Sequence, residues 1–78
     1  MVEMNADITL DTKGLLCPMP VVKAKLAIGN MAPGQTVKVE ATDPGSVADF
    51  PAWCRGTGNK LLHTEKDGKV FTFFIEKA

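Results

Sequence analysis

Cys17 stands in the run Gly14-Leu15-Leu16-Cys17-Pro18-Met19-Pro20, between a segment of alternating polarity and a segment of helical periodicity. A thiol reacts as its thiolate, and an ordinary cysteine of pKa about 8.5 is only a few per cent ionised at neutral pH. The positive end of a helix favours the anion, so a cysteine at or next to an N-cap is predicted to be an activated nucleophile. Pro18 suits the first helical position and Pro20 still lies in the first turn, where amides have no intrahelical partner. Met19 is then the one N–H donor among the first three helical positions, and two fixed φ angles stiffen the turn behind an outward-pointing sulfur. Lys13, just before Gly14, adds positive charge if the loop folds back.

The companions of Cys17 limit the chemistry open to it. A dithiol oxidoreductase needs a resolving cysteine three residues on, and that position is Pro20. A Cys-His hydrolase needs a nearby base, but the one histidine, His63, falls in a later strand-like run on the face opposite Leu62. Two cysteines and one histidine at these separations match no metal-ligand spacing. What remains is a lone thiol that accepts and releases a group, a description that sulfane sulfur held as a persulfide fits. Cys54 shares helical spacing with Val47 and Phe50 and reads as a core thiol. Asp43 and Asp49 read as helix caps rather than acids, Trp53 as partly buried, and Lys23, Lys25 and Arg55 as a solvated face.

The elements that must position Cys17 follow from periodicity. Asp7 to Thr12 alternates with Ile8 and Leu10 on one face, the pattern of a half-buried strand, and a turn over Lys13 and Gly14 ends it. From Pro18 to about Met31, Val21, Ala24, Ile28 and Met31 mark one helical face, widened by Val22. Pro33-Gly34 stops that helix, and Thr36 to Thr42 alternates again with Val37, Val39 and Ala41 on one side, so that strand, helix and strand make a parallel βαβ unit. Asp43-Pro44 signals a second helix to about Gly56, with Pro51 predicted to kink it or to split it into two pieces, the second capped by Asp49. Lys60 to Lys66 and Lys69 to Lys77 flank Asp67-Gly68, a two-residue hairpin signal.

The predicted fold is α+β: a two-layer sandwich of order β-α-β-α-β-β, with a four-stranded mixed sheet and both helices on one face. Val70, Thr72 and Phe74 would line the other, partly open face, a possible partner surface.

Length and charge bound the function. A chain of 78 residues is read as one domain, residues 1–78, because domains run to about 50 to 200 residues and so short a core does not divide. Nine basic and nine acidic residues give zero formal net charge, so direct nucleic-acid binding is not expected. No apolar run approaches the roughly 18 residues of a membrane span, and the first residues lack the pattern of a signal peptide, which points to the cytoplasm and to two free thiols.

Asp11, Gly14, Leu15, Cys17, Pro18 and Pro20 form D-x-x-G-L-x-C-P-x-P, which resembles the signature of the TusA/SirA family of small sulfur-carrier proteins. The likeness continues through Asn30-Met31-Ala32-Pro33-Gly34, Asp43-Pro44, Asp49, the Pro51 to Cys54 segment and the closing hairpin. The resemblance implies a sulfurtransferase without cofactor, in which Cys17 takes sulfur as a persulfide and Gly14, Leu15, Pro18 and Pro20 shape the site. It further implies a cysteine desulfurase or rhodanese-like donor and a DsrE- or TusD-like acceptor, in a relay ending in tRNA 2-thiouridine or in sulfur oxidation. Members of the tRNA branch often have arginine directly before the cysteine, where this chain has Leu16. A non-enzymatic regulatory or RNA- or protein-binding module of the same fold is the alternative, and a selenium carrier would look the same in sequence.

Overall fold

The first strand, β1 (Ile8–Thr12), lies at one edge of a four-stranded sheet of order β1-β2-β4-β3. The computed structural model describes residues 6–78. Strand β2 (Thr36–Ala41) runs parallel to β1 with Ile8 opposite Val37 and Thr12 opposite Ala41, and α1 (Met19–Gly29) makes the connection between them. After β2 come α2 (Ser46–Thr57), then β3 (Lys60–Asp67) and β4 (Val70–Glu76), which inserts between β2 and β3 and is antiparallel to both. The β-α-β-α-β-β order, the mixed sheet and the pair of helices on one face match the sequence reading.

Alternation in β2 and β4 builds the core. Val37, Val39 and Ala41 face the helices beside Phe73 and Ile75, and α1 adds Ala24 and Ile28 while α2 adds Phe50 and Cys54. Phe50 stacks on Phe73 with ring centroids 4.6 Å apart, and Trp53, half-buried, meets Phe50 edge-on. Cys54 is a buried free thiol, as its spacing predicted.

Several boundaries and faces differ from the sequence reading. Helix α2 is continuous through Pro51, beginning two residues after Pro44 and ending one after Gly56, where Gly58 takes a left-handed φ of 82° and donates its N–H to the Cys54 carbonyl. Asp49 therefore caps no second piece. Val47, one residue into the helix, is 46% exposed instead of sharing the face of Phe50. The hairpin turn is Gly68-Lys69, with Asp67 paired to Val70. Gly68, at φ 60°, fills the first central position, where a two-residue turn of the II′ kind needs glycine.

The face away from the helices is not an open apolar surface. Phe74 is only 5% exposed, because Lys38 lies over its ring at 6.0 Å and His63 packs beside it. Long side chains of the neighbouring strands thus cover it with their stems and leave the charges in water. A register shift between Leu61 and His63 makes Leu62 an extra, exposed residue, so simple alternation does not hold along β3.

Candidate active site

Parallel pairing of β1 and β2 brings the exits of both strands to the same end of the sheet, and the site is built there. Thr12, fully buried, donates its hydroxyl to the Glu40 carbonyl at 2.7 Å and fixes the end of β1 on β2. The chain then turns: the Leu15 N–H reaches the Thr12 carbonyl at 3.1 Å, with Gly14 between them at φ 84°. A side chain at that φ would be strained, which accounts for glycine there. The Gly14 N–H donates to Thr42 Oγ1 at 2.9 Å, tying the turn to the segment after β2.

Two carboxylates from beyond β2 meet Cys17. Its backbone N–H donates to Asp43 Oδ2 at 2.6 Å, and its thiol donates to Asp49 Oδ2 from the first turn of α2. Gly45, the N-cap of α2, supplies the close approach: a Cβ there would stand 3.5 Å from the Cys17 Cβ and 3.3 Å from Asp43 Oδ2. Asp43 is consequently not the side-chain cap of α2, since its carboxylate serves the amides of Cys17 and Gly45.

Helix α1 begins one residue later than predicted, with Pro18 as N-cap and Met19 the first helical residue, and the Cys17-Pro18 peptide is cis. Pro20 is buried and seats the first turn of α1 on the core, whereas Leu15 is half-buried and Pro18 exposed. The Met19 N–H, the donor expected to serve a thiolate, is taken by the Leu16 carbonyl at 2.9 Å.

Activation of the thiol by a helix end is therefore corrected. Cys17 is exposed and free, but its thiol is held above the ordinary range, first by the hydrogen bond to Asp49, then by desolvation and by the negative charges of Asp49 and Asp43. Lys13 does not offset them, because its ammonium lies 3.7 Å from Asp11 and 3.8 Å from Glu40. Among the described residues, neither Asp43 nor Asp49 has a lysine or arginine at salt-bridge distance. His63 is occupied by Glu65 at 3.0 Å, on the sheet face away from the helices.

The resting thiol is thus a protonated nucleophile, reachable from solvent, that needs its proton removed before it reacts. The surface around it is apolar: Leu16 is 74% exposed, and Met19, Val22 and Leu26 follow at helical spacing along the outer side of α1. No helix among the described residues is long and apolar enough to cross a membrane. Among the same residues, no group of three His, Cys, Asp or Glu is placed to hold a metal ion.

Asp43, Asp49 and Gly45 are the site residues that periodicity alone passed over. The signal for them lay in topology, because the segment leaving β2 must emerge beside the segment leaving its parallel neighbour β1.

Comparison with known proteins places the chain in a family. The chain is 46% identical, over 92% of its length and 95% of the other, to the sulfur carrier protein TusA of Allochromatium vinosum. It is 45% identical over 96% of its length to the putative sulfur carrier protein YrkF of Bacillus subtilis, of which it spans 40%. In structure it resembles the SirA-like protein of Desulfitobacterium hafniense, with a TM-score of 0.78, 31% identity and coverage of 88% of this chain and 95% of that one. Residues 8–77 match the model of the family described as sulfurtransferase TusA, and the chain belongs to that family.

Proposed function

We propose that this protein is a sulfur carrier that accepts sulfane sulfur on Cys17 as a persulfide and hands it to a second protein. The observation that carries the reading is the display of one exposed free thiol where β1 and β2 leave the sheet, while Cys54 is buried. In the loading step Cys17 Sγ attacks the outer sulfur of a donor persulfide, R–S–SH. The donor's S–S bond breaks, Cys17–S–SH forms, and the proton lost by Cys17 ends on the departing thiolate. One S–S bond replaces another, so no external oxidant or reductant enters and no cofactor is called for.

Gly14 and Pro20 shape the site in this reading, one by turning the chain and the other by anchoring α1, with Leu15 half-buried after the turn and Pro18 following the thiol as the N-cap of α1. The donor is a cysteine desulfurase or rhodanese-like protein and the acceptor a DsrE- or TusD-like protein, in a cytoplasmic relay. The apolar side chains of Leu16, Met19, Val22 and Leu26 give such partners a surface beside the sulfur. Two carboxylates at the site, without a lysine or arginine at salt-bridge distance among the described residues, do not favour a direct RNA ligand.

Incubation with a cysteine desulfurase and free cysteine is expected to add the mass of one sulfur atom. Cys17→Ser abolishes the addition and Cys54→Ser retains it, both read by intact-mass spectrometry. Loading that persists in Cys17→Ser rejects the proposal.

A further inference from the structure

Asp49 is 32 residues from Cys17 in sequence, yet its carboxylate accepts the thiol hydrogen bond directly. We infer that Asp49 controls the sulfur of Cys17 in opposite ways in the two states of the carrier: it keeps the empty carrier as S–H, and it turns the outer sulfur away once a persulfide is present. The second half rests on the carrier reading above.

Among the described residues, the charges that face the sulfur have one sign. From α2 comes Asp49, from the segment between β2 and α2 comes Asp43, and the first turn of α1 contributes Pro18, Met19 and Pro20, none of them charged. Lys13, in the turn after β1, is engaged with Asp11 and Glu40. A carboxylate beside a neutral thiol gains a hydrogen bond, but beside a sulfur anion it gains only repulsion. The empty carrier is therefore held protonated and slow toward oxidants and stray electrophiles, which react with thiolates.

Loading reverses the balance. A persulfide is more acidic than the parent thiol, so at neutral pH the new outer sulfur gives its proton to solvent and carries the charge. Sγ, now bonded to carbon and sulfur, has no proton left to donate. The bond to Asp49 is lost, the anion is repelled by Asp49 and Asp43, and rotation about the Cα–Cβ bond of Cys17 carries the sulfur toward solvent and the exposed side chains of Leu16 and Met19. A single carboxylate thereby keeps the acceptor thiol protonated and drives the cargo sulfur away from itself.

The test measures alkylation of Cys17 by iodoacetamide as a function of pH, resolved from Cys54 by peptide mass spectrometry, in the wild-type chain, Asp49→Asn and Asp49→Ser. Circular dichroism checks the fold of each. The empty variants are expected to react severalfold faster at neutral pH, with their profiles displaced to lower pH. The same proteins loaded with glutathione persulfide are expected to be alkylated on the outer sulfur at closely similar rates. Superimposable profiles for the empty forms overturn the inference, as does a loaded form that responds to Asp49 as strongly as the empty one. Failure of the wild-type chain to take up sulfur instead rejects the carrier reading and the second half with it, and the alkylation profiles still decide the first.

Discussion

Cys17 and Cys54 are both pushed above the ordinary thiol range, and for different reasons: the carboxylate of Asp49 acts on the first, and burial among core side chains on the second. The sign of the resulting pH dependence is the same for both. Each folded-state pKa lies above its unfolded value, so the stabilising contribution is complete while both states are protonated. It is lost as pH rises through the folded pKa, because the unfolded chain releases its protons first. Resistance to urea is therefore expected to fall as pH rises from about 8 through the thiol range, and to fall less steeply in Cys17→Ser, which removes one of the two groups. A midpoint that stays level over that interval in the wild-type chain contradicts the assignment of both shifts. The Cys17 part of it was not legible in the sequence. The spacing of Gly14 to Pro20 located the thiol correctly, but it encouraged a helix-end activation that the Met19–Leu16 hydrogen bond and the opposing carboxylates remove.

Among the elements, strands β1 and β2 and helix α1 were read within a residue or two, because each carries its own periodicity and its own stop, Gly14 after β1 and Pro33-Gly34 after α1. The start of α2 was read two residues early. Asp43-Pro44 has the form of a cap followed by a first helical residue, yet the helix begins after Gly45 because the Asp43 side chain is drawn to the Cys17 amide. Local capping preference lost to a contact 26 residues distant in the chain, which no local pattern records. Gly45 holds the two segments together at φ −59°, where alanine is also allowed, so its importance lies in space rather than in backbone freedom. Gly45→Ala is expected to cost about 1 kcal/mol or less in stability. It should slow sulfur loading of Cys17 by more than that loss accounts for, since the new methyl group presses on Asp43 Oδ2 and displaces it from the Cys17 amide. Chemical denaturation and a loading time course on the same protein separate the effects, and an unchanged loading rate would show that the Asp43 contact does not hold the site.

On the scale of the whole molecule, apolar exposure is distributed unevenly. The sheet face predicted to be a partner surface is closed over Phe74, and Leu16, Met19, Val22 and Leu26 instead form a run of exposed apolar side chains along α1 and beside Cys17. Periodicity missed this because Val22 was counted into the helical stripe and Leu26 was passed over, while the sheet covers only the side of α1 that carries Pro20, Ala24 and Ile28. A carrier that exchanges sulfur with other proteins needs a surface that is wetted when free and dry when docked, and the proposed docking surface includes Leu26, 62% exposed and nine residues beyond the thiol. Leu26→Asp is therefore expected to leave the fold intact, since little apolar area is uncovered or lost from the core. It should also leave loading of Cys17 by glutathione persulfide unchanged, because a small donor reaches the thiol without docking. Transfer from a desulfurase should fall severalfold, as a charge must be buried in the apolar contact. Equal losses with the small and the protein donor would place the effect on the thiol itself and remove α1 from the docking surface. No loss with either would leave Leu16 and Met19, next to the sulfur, as the contact that partners use.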